Sequence, residues 1–352
     1  MKIKLSPRKF VQSSNSKTLY IAEIGANHNG KFGLAKKLIF EAKKAGADYV
    51  KFQSWTKETV FSKVKYEENF FLKDDYRNST NSSLEQVVEK YSISEANTIK
   101  LNDYAKSLKI ELISTPFSKR EVDFLVNVIK VPFIKVASMD LNNYPFLEYV
   151  GKKKKPIILS VGMANLQEID KAISTIESTG NNDIIILHCV SIYPAPAEKI
   201  NLKRIKTLQK LYPYPIGYSD HSIGEQMAIG AVAMGSCIIE KHFTLDKNME
   251  GWDHKISADP KELSELIKKC SDVNIALGSE RITRVEAQSR VQEFRRSIVA
   301  ARDIKAGEKF TKEMLDFKRP GRGLAPEMID TIIGKVSKNN IPFDVLININ
   351  DF

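Results

Sequence analysis

The sequence predicts a closed parallel (β/α)8 barrel followed by a small β-rich C-terminal module. Three observations carry this reading. Short β-branched runs alternate with helical stretches, eight of each, over roughly the first 280 residues. Polar and titratable residues gather where the strand runs end. Beyond Gly278 the pattern changes to short segments and turns. A chain of 352 residues suits about two domains.

The strands are expected at Leu19–Ala22, Tyr49–Phe52, Glu111–Ser114, Phe133–Val136, Pro156–Leu159, Asp183–Leu187, Pro215–Tyr218 and Ser236–Ile239. The helices between and after them are expected at Gly33–Ala45, Leu84–Leu108, Arg120–Val128, Tyr144–Val150, Leu166–Ser178, Leu202–Leu211, Gly224–Met234 and Pro260–Leu277. The last opens with Asp259 as an N-cap and Pro260 in the first turn. A doubly wound open sheet is the rival architecture. Its dinucleotide form needs G-x-G-x-x-G after the first strand, where this chain reads Glu23-Ile-Gly-Ala-Asn-His28-Asn-Gly30. No Walker phosphate loop is present either.

The long polar stretch from Trp55 to Tyr91 follows the second strand and reads as a lid or a surface excursion. The barrel is expected over 1–283, a charged linker over 284–296 and the β-rich module over 297–352, with a core marginal on its own.

Composition narrows the function. With 42% hydrophobic and 28% charged residues the chain is not disordered. No apolar run reaches the roughly 20 residues that span a bilayer, and no secretory signal shows, so the expected location is the cytoplasm. A net charge of +11 is spread along the chain, and Lys152–Lys155 lacks interleaved aromatics, so neither nucleic acid nor a membrane is the expected partner. Cys189, Cys237 and Cys270 have neither disulfide-framework nor metal spacing.

The histidines are the strongest chemical signal. His188, His221 and His242 follow the sixth, seventh and eighth strands; His28 and His254 lie in the loops after the first and eighth. In a barrel these places converge on the C-terminal face. His221 and His242 read as ligands of one divalent ion, or as hydrogen-bonding partners of a substrate. Lys51 with Gln53, Ser114 with Thr115, Lys135 with Ser138, Ser160, and Ser219 with Asp220 end the intervening strands. Lysines inside a strand pattern are costly unless paired or facing an anion, so the two point to a carboxylate or phosphate, or to internal salt bridges. Glu23, Asp140 and Asp253 read as acid–base groups or as ion-pair partners.

These residues lie in strings that resemble the sialic acid synthase family. They are Tyr20-Ile-Ala-Glu23-Ile-Gly-Ala-Asn27-His28-Asn-Gly30, Val50-Lys51-Phe-Gln53, Ile113-Ser-Thr115-Pro-Phe117, Ile134-Lys135-Val-Ala-Ser138 and Ile158-Leu-Ser160-Val-Gly-Met163. His188-Cys-Val-Ser-Ile-Tyr193-Pro, Tyr218-Ser219-Asp220-His221 and Glu240-Lys-His242-Phe-Thr244 follow in the family's order. The tail, with Arg319-Pro-Gly321, resembles the family's antifreeze-like (SAF, β-clip) domain.

The resemblance implies a TIM barrel that condenses phosphoenolpyruvate with an N-acylated mannosamine-type sugar to a nine-carbon 2-keto-3-deoxy acid. Phosphate leaves with C–O cleavage, and a divalent metal (Mn2+ or Mg2+) is required. Carried over by motif, Lys51, Thr115, Lys135, Ser138, Ser160, Ser191 and Ser219 would hold phosphoenolpyruvate. His221 and His242 would hold the metal; Gln53, Tyr193, Asp253 and Arg319 the sugar; Glu23, Asp140 and His188 would serve catalysis. Asp140 stands where the family commonly has Glu. The family pattern also implies a domain-swapped homodimer in which Arg319 acts in trans. Two alternatives are an aldol synthase using phosphoenolpyruvate and a phosphorylated aldose, and a non-catalytic sugar- or ice-binding protein. The tail argues against the first, and the lysine and histidine set against the second.

Overall fold

The computed structural model describes residues 1–6, 9–12, 17–69, 82–251 and 253–352. Residues 70–81, part of the long polar stretch expected as a lid or a surface excursion, and Trp252 lie outside them. The chain divides into two compact units, Met1–Gly278 and Ser279–Phe352.

The first unit opens with an antiparallel hairpin, β1 (Lys2–Ser6) and β2 (Lys9–Gln12), that sequence patterning passed over. In β1 the lysines alternate with the buried Ile3 and Leu5, and in β2 Val11 is buried. Eight parallel strands follow: β3 (Leu19–Gly25), β4 (Tyr49–Ser54), β5 (Glu111–Pro116), β6 (Ile134–Val136), β7 (Ile157–Ser160), β8 (Ile184–Cys189), β9 (Ile216–Asp220) and β10 (Ile238–His242). All eight expected strands are present. Their order around the sheet is β5-β4-β3-β10-β9-β8-β7-β6. β5 and β6 lie side by side without ladder bonds, so the barrel is nearly closed.

Alternation along each strand sorts residues between two environments. Ile21, Tyr49, Ile113, Phe133, Ile158, Ile185 and Ile238 point inward and share one apolar cluster with Ile3, Leu5 and Val11 of the hairpin. The hairpin therefore plugs the end where the strands begin. The outward residues pack on the helices, as Ile134, Ile157, Ile184, Ile216 and Ile239 do.

Local chemistry sets the helix ends. Asn165 with Glu168, and Asp259 with Glu262, form capping boxes, and Pro260 opens the final helix Pro260–Ala276. The helix expected over Leu84–Leu108 is two, Leu84–Lys90 and Glu95–Ser107, because Ser94 caps the second by accepting from Asn97 N. The one expected at Arg120–Val128 begins at Lys119 and loosens into a π-helical turn over Phe124–Ile129.

The second unit contains helix Gln288–Phe294 and the antiparallel pair β11 (Ser297–Ala300) and β12 (Leu315–Lys318). Ile298, Ala300, Ile304, Phe310, Leu315, Ile332, Ile341 and Ile347 form its core. The stretch expected as linker, 284–296, thus belongs to this unit and carries a helix. Gly321 N donates to the Gln292 carbonyl at 2.6 Å, which ties that helix to the Arg319-Pro320-Gly321 loop. No helix of the described residues is long and apolar enough to cross a membrane.

Candidate active site

The inward residues change character one layer above the apolar plug. Glu23, Lys51, Thr115, Lys135, Ser160 and Glu240 each follow, by two positions, an inward residue of the lower layer, Ser219 follows Gly217 in the same way, and all are buried. Lys51 Nζ lies 3.0 Å from Glu23 Oε2 and 3.6 Å from Glu240 Oε2, and donates to Thr115 Oγ1 at 3.2 Å. Lys135 Nζ donates to Ser160 Oγ at 2.7 Å and stands 3.8 Å from Glu240 Oε1. Ser219 Oγ donates to the same Glu240 oxygen at 2.9 Å.

Burial opposes every one of these charges, and the neighbours decide which survive. Burial works against the Lys51 ammonium, but Glu23 and Glu240 outweigh it and hold its pKa above the ordinary value. Burial would also neutralise Glu240, yet the two lysines pull its carboxyl down to about 2. Glu23 is pushed up to about 7 by burial, with Lys51 opposing and Glu240 assisting. Lys135 is lowered by burial and by Lys51, against the pull of Glu240.

Glu240 is the residue that sequence reading left out of the site. The eighth strand was expected to stop at Ile239, whereas β10 runs to His242. The available signal was its spacing: two residues before His242 places both side chains on one face.

A second group lies at the lip. Ser138 Oγ accepts from Gly162 N at 3.0 Å and lies 3.0 Å from Cys189 Sγ. A Cβ at position 162 would stand 2.7 Å from Cys189 Sγ and Ser191 Oγ and 2.8 Å from Ser138 Oγ, so only glycine admits these side chains together. Cys189 is thus the one cysteine at the mouth. The Cys237 and Cys270 thiols are buried in packing and pushed up to about 12 by desolvation.

The acid side of the mouth centres on Gly25. Gln53 Nε2 donates to Glu23 Oε1 at 2.7 Å. A Cβ on Gly25 would lie 3.3 Å from both of those atoms and 3.5 Å from Asp253 Oδ2, so the three side chains converge there.

His221 and His242 stand beside this group with ring centroids 5.5 Å apart. The Tyr193 ring lies tilted against His221 at 4.3 Å and meets His242 edge-on at 6.0 Å. His221 Nδ1 donates to the Val190 carbonyl at 2.8 Å, which leaves the lone pair on Nε2. His242 Nδ1 is buried without a hydrogen bond, 3.7 Å from Asp253 Oδ2. Burial lowers both imidazoles, to about 4 and about 3, so both are neutral at pH 7. Two neutral imidazoles, one with an orphaned ring nitrogen near a carboxylate, fit a divalent cation. Among the described residues no three His, Cys, Asp or Glu side chains close on one point, so water or substrate would complete the shell.

Several expectations need correcting. His188 points away from the interior. It has the outward parity of Ile184 and Ile186, its Nε2 bonds the Ile200 carbonyl at 2.7 Å, and its ring stacks on Tyr218. Asp220 also faces outward and pairs with Lys241 at 2.8 Å. Ser114 bonds Ser54 at 2.7 Å on the outer side of β4 and β5. His28 and His254 are structural as well. His28 Nδ1 accepts from Gly30 N, and His254 bridges Thr244 Oγ1 at 2.6 Å and Asn29 Oδ1 at 3.1 Å. Asp140 accepts from Asn143 Nδ2 at 3.3 Å, and no hydrogen bond or ion pair ties it to the four-charge cluster among the described residues. Arg319 lies in the second unit, where its guanidinium sits over the Phe294 ring.

Buried lysines beside neutral imidazoles, at the end of a parallel barrel where the strands finish, mark this cluster as the candidate active site. Residues 38–282 match the NeuB family and residues 295–352 the SAF domain. The chain belongs to the NeuB family, and it is an enzyme of the kind that forms carbon–carbon bonds. It is 40% identical to the N,N'-diacetyllegionaminic acid synthase of Campylobacter jejuni, over 94% of this chain and 99% of that one. It is 34% identical to the N-acetylneuraminate-9-phosphate synthase of Homo sapiens, over 95% and 92%. The solved N-acetylneuraminic acid (sialic acid) synthetase of Leptospira borgpetersenii, in complex with citrate, shares 32% identity and superposes with a TM-score of 0.73 over 82% of this chain and 94% of that one.

Proposed function

We propose that the protein condenses phosphoenolpyruvate with an open-chain N-acylated amino sugar of the mannosamine type. The observation that carries this is the Lys51–Lys135 pair, buried at the mouth beside two neutral imidazoles. Carbon 3 of phosphoenolpyruvate attacks the sugar aldehyde and forms the new C–C bond. Water adds to the cationic carbon 2, and the resulting tetrahedral intermediate loses inorganic phosphate by C–O cleavage. One water is consumed, and the product is a nine-carbon 2-keto-3-deoxy acid.

Lys51 and Lys135, with the hydroxyls of Thr115, Ser138, Ser160, Ser191 and Ser219, hold the phosphate and carboxylate of phosphoenolpyruvate. Glu240 keeps Lys51 charged and spaces the two lysines. Glu23, with a pKa of about 7, can hold or release a proton at its Oε atoms near neutral pH. Gln53, Tyr193 and Asp253 face the sugar. His221 and His242 are the residues to hold a divalent ion, Mn2+ or Mg2+, which when bound acts as a Lewis acid toward the aldehyde oxygen.

The acceptor to test first carries two acetamido groups, because the relative at 40% identity is named for a diacetyl product. The assay is phosphate release from phosphoenolpyruvate with that sugar, N-acetylmannosamine, its 6-phosphate and phosphorylated pentoses and tetroses. Release above the sugar-free rate is expected with N-acylated hexoses. Release with the phosphorylated pentose or tetrose alone would replace this reading.

Arg319 enters the proposal as a sugar contact supplied by a second copy in a homodimer. Mixing wild type with a chain carrying both Lys51→Ala and Arg319→Ala tests sharing. Activity should follow the square of the wild-type fraction, and simple proportionality would place Arg319 in cis.

A further inference from the structure

Asp220 and Lys241 are direct neighbours across β9 and β10, and both point toward the helices. Their side chains are 0% and 2% exposed, and Lys241 Nζ lies 2.8 Å from Asp220 Oδ2. The other carboxylate oxygen accepts from Ser222 N at 2.9 Å, Ser222 Oγ at 2.7 Å and Tyr218 OH at 3.2 Å. Lys241 Nζ also donates to the Ser222 carbonyl. Ser222 is therefore gripped by its N–H, its hydroxyl and its C=O at once.

The two residues directly before and after His221 are thus both held by this network. His242 is the residue after Lys241. A buried ion pair is seldom more stabilising than apolar side chains of the same volume, so stability alone is a weak reason for one here. Packing does not duplicate its work. A cavity of about 220 Å³ lined by Lys241, Gly224, Glu225 and Leu266 adjoins it, so the chain after β9 has room to shift once those bonds are lost.

We propose that the Asp220–Lys241 pair is a clamp on the back wall of the barrel that sets the separation and aim of the His221 and His242 imidazoles. Neither residue touches the cation or substrate; both act as positioning residues through the backbone of the two strands. The inference rests on the reading of those histidines as the holders of a divalent ion.

The test is Mn2+ binding to the full chain at pH 7 by titration calorimetry, with free Mn2+ followed by electron paramagnetic resonance. His242→Ala should abolish binding. Lys241→Met should weaken it at least tenfold, and the milder Ser222→Ala about threefold. Ile205→Ala, a buried outer-layer position in helix Lys203–Leu211, should lower Tm without changing Mn2+ affinity. Wild-type Mn2+ affinity in both Lys241→Met and Ser222→Ala, with His242→Ala still dead to the ion, would overturn the clamp alone. An Ile205→Ala protein as weak for Mn2+ as Lys241→Met would also overturn it, since general softening would suffice. Unchanged binding in His242→Ala would remove the metal reading and the clamp with it. Should Lys241→Met fail to fold, Ser222→Ala decides.

Discussion

β9 and β10 carry two polar clusters back to back. On the inner side Ser219 and Glu240 meet Lys51 and Lys135. On the outer side Asp220 meets Lys241, Ser222 and Tyr218. Both hold buried carboxylates and ammoniums, yet they differ in how far each satisfies itself. The outer pair is closed: every Asp220 oxygen and the Lys241 ammonium bond within the wall. The inner group is contested. Glu23 is pushed up and Glu240 down, and Lys51 is raised while Lys135 is lowered. Oppositely shifted charges gathered in a cleft mark a functional-site candidate, whereas a self-satisfied pair does not.

The sharpest way to break this contrast is to delete an inner cation. Lys51→Ala leaves Glu23 and Glu240 without their shared partner. It should cost about 2–4 kcal/mol of transition-state stabilisation, as kcat/KM, with every acceptor sugar. Lys135→Ala should do the same. A loss confined to one sugar would move these lysines to the acceptor side.

Histidines on opposite faces give the next largest difference. His242→Ala should lose Mn2+ binding while remaining folded. His188→Ala strands the Ile200 carbonyl and should cost about 1–3 kcal/mol of stability by urea unfolding. Its Mn2+ affinity should stay at the wild-type value. A tenfold loss of Mn2+ affinity in His188→Ala would erase the distinction between the faces.

The last contrast is in pH dependence, and it separates the two inner carboxylates. Glu23 in the folded chain titrates near 7, above its ordinary 4.5. The native state then binds the proton more tightly, so this group's contribution falls as pH rises from about 4.5 to about 7. Glu240 titrates near 2, so its contribution is present above 4.5 and is lost as pH falls toward 2. Urea midpoints across this range should therefore show Glu23→Gln gaining on wild type as pH rises to 7. Glu240→Gln should trail wild type at neutral pH and converge with it in acid. Parallel curves for the two variants would mean the carboxylates share one environment.

The eight strands and their order were legible in the sequence because β-branched runs separated by helical periods are local signals. So was most of the mouth: Glu23, Lys51, Gln53, Thr115, Lys135, Ser160, Ser219, His221 and His242 all fall at strand ends. Face was harder to read than position. His188 and Asp220 also fall at strand ends, yet each turns outward. Glu240 was missed because the strand was expected to stop at Ile239, just before it, whereas it runs to His242. The antiparallel pair of Lys2–Ser6 and Lys9–Gln12 hid behind its lysines, since its apolar partners are barrel residues far along the chain. What the sequence by itself determined was which residues arrive at the C-terminal end of the barrel. Only the tertiary structure decided which of them look inward. Side chains alternate every residue along a strand, so a register difference of one exchanges the pocket for the wall. That register is set by pairing with the neighbouring strands, as of His242 with Glu23 on a strand more than two hundred residues away.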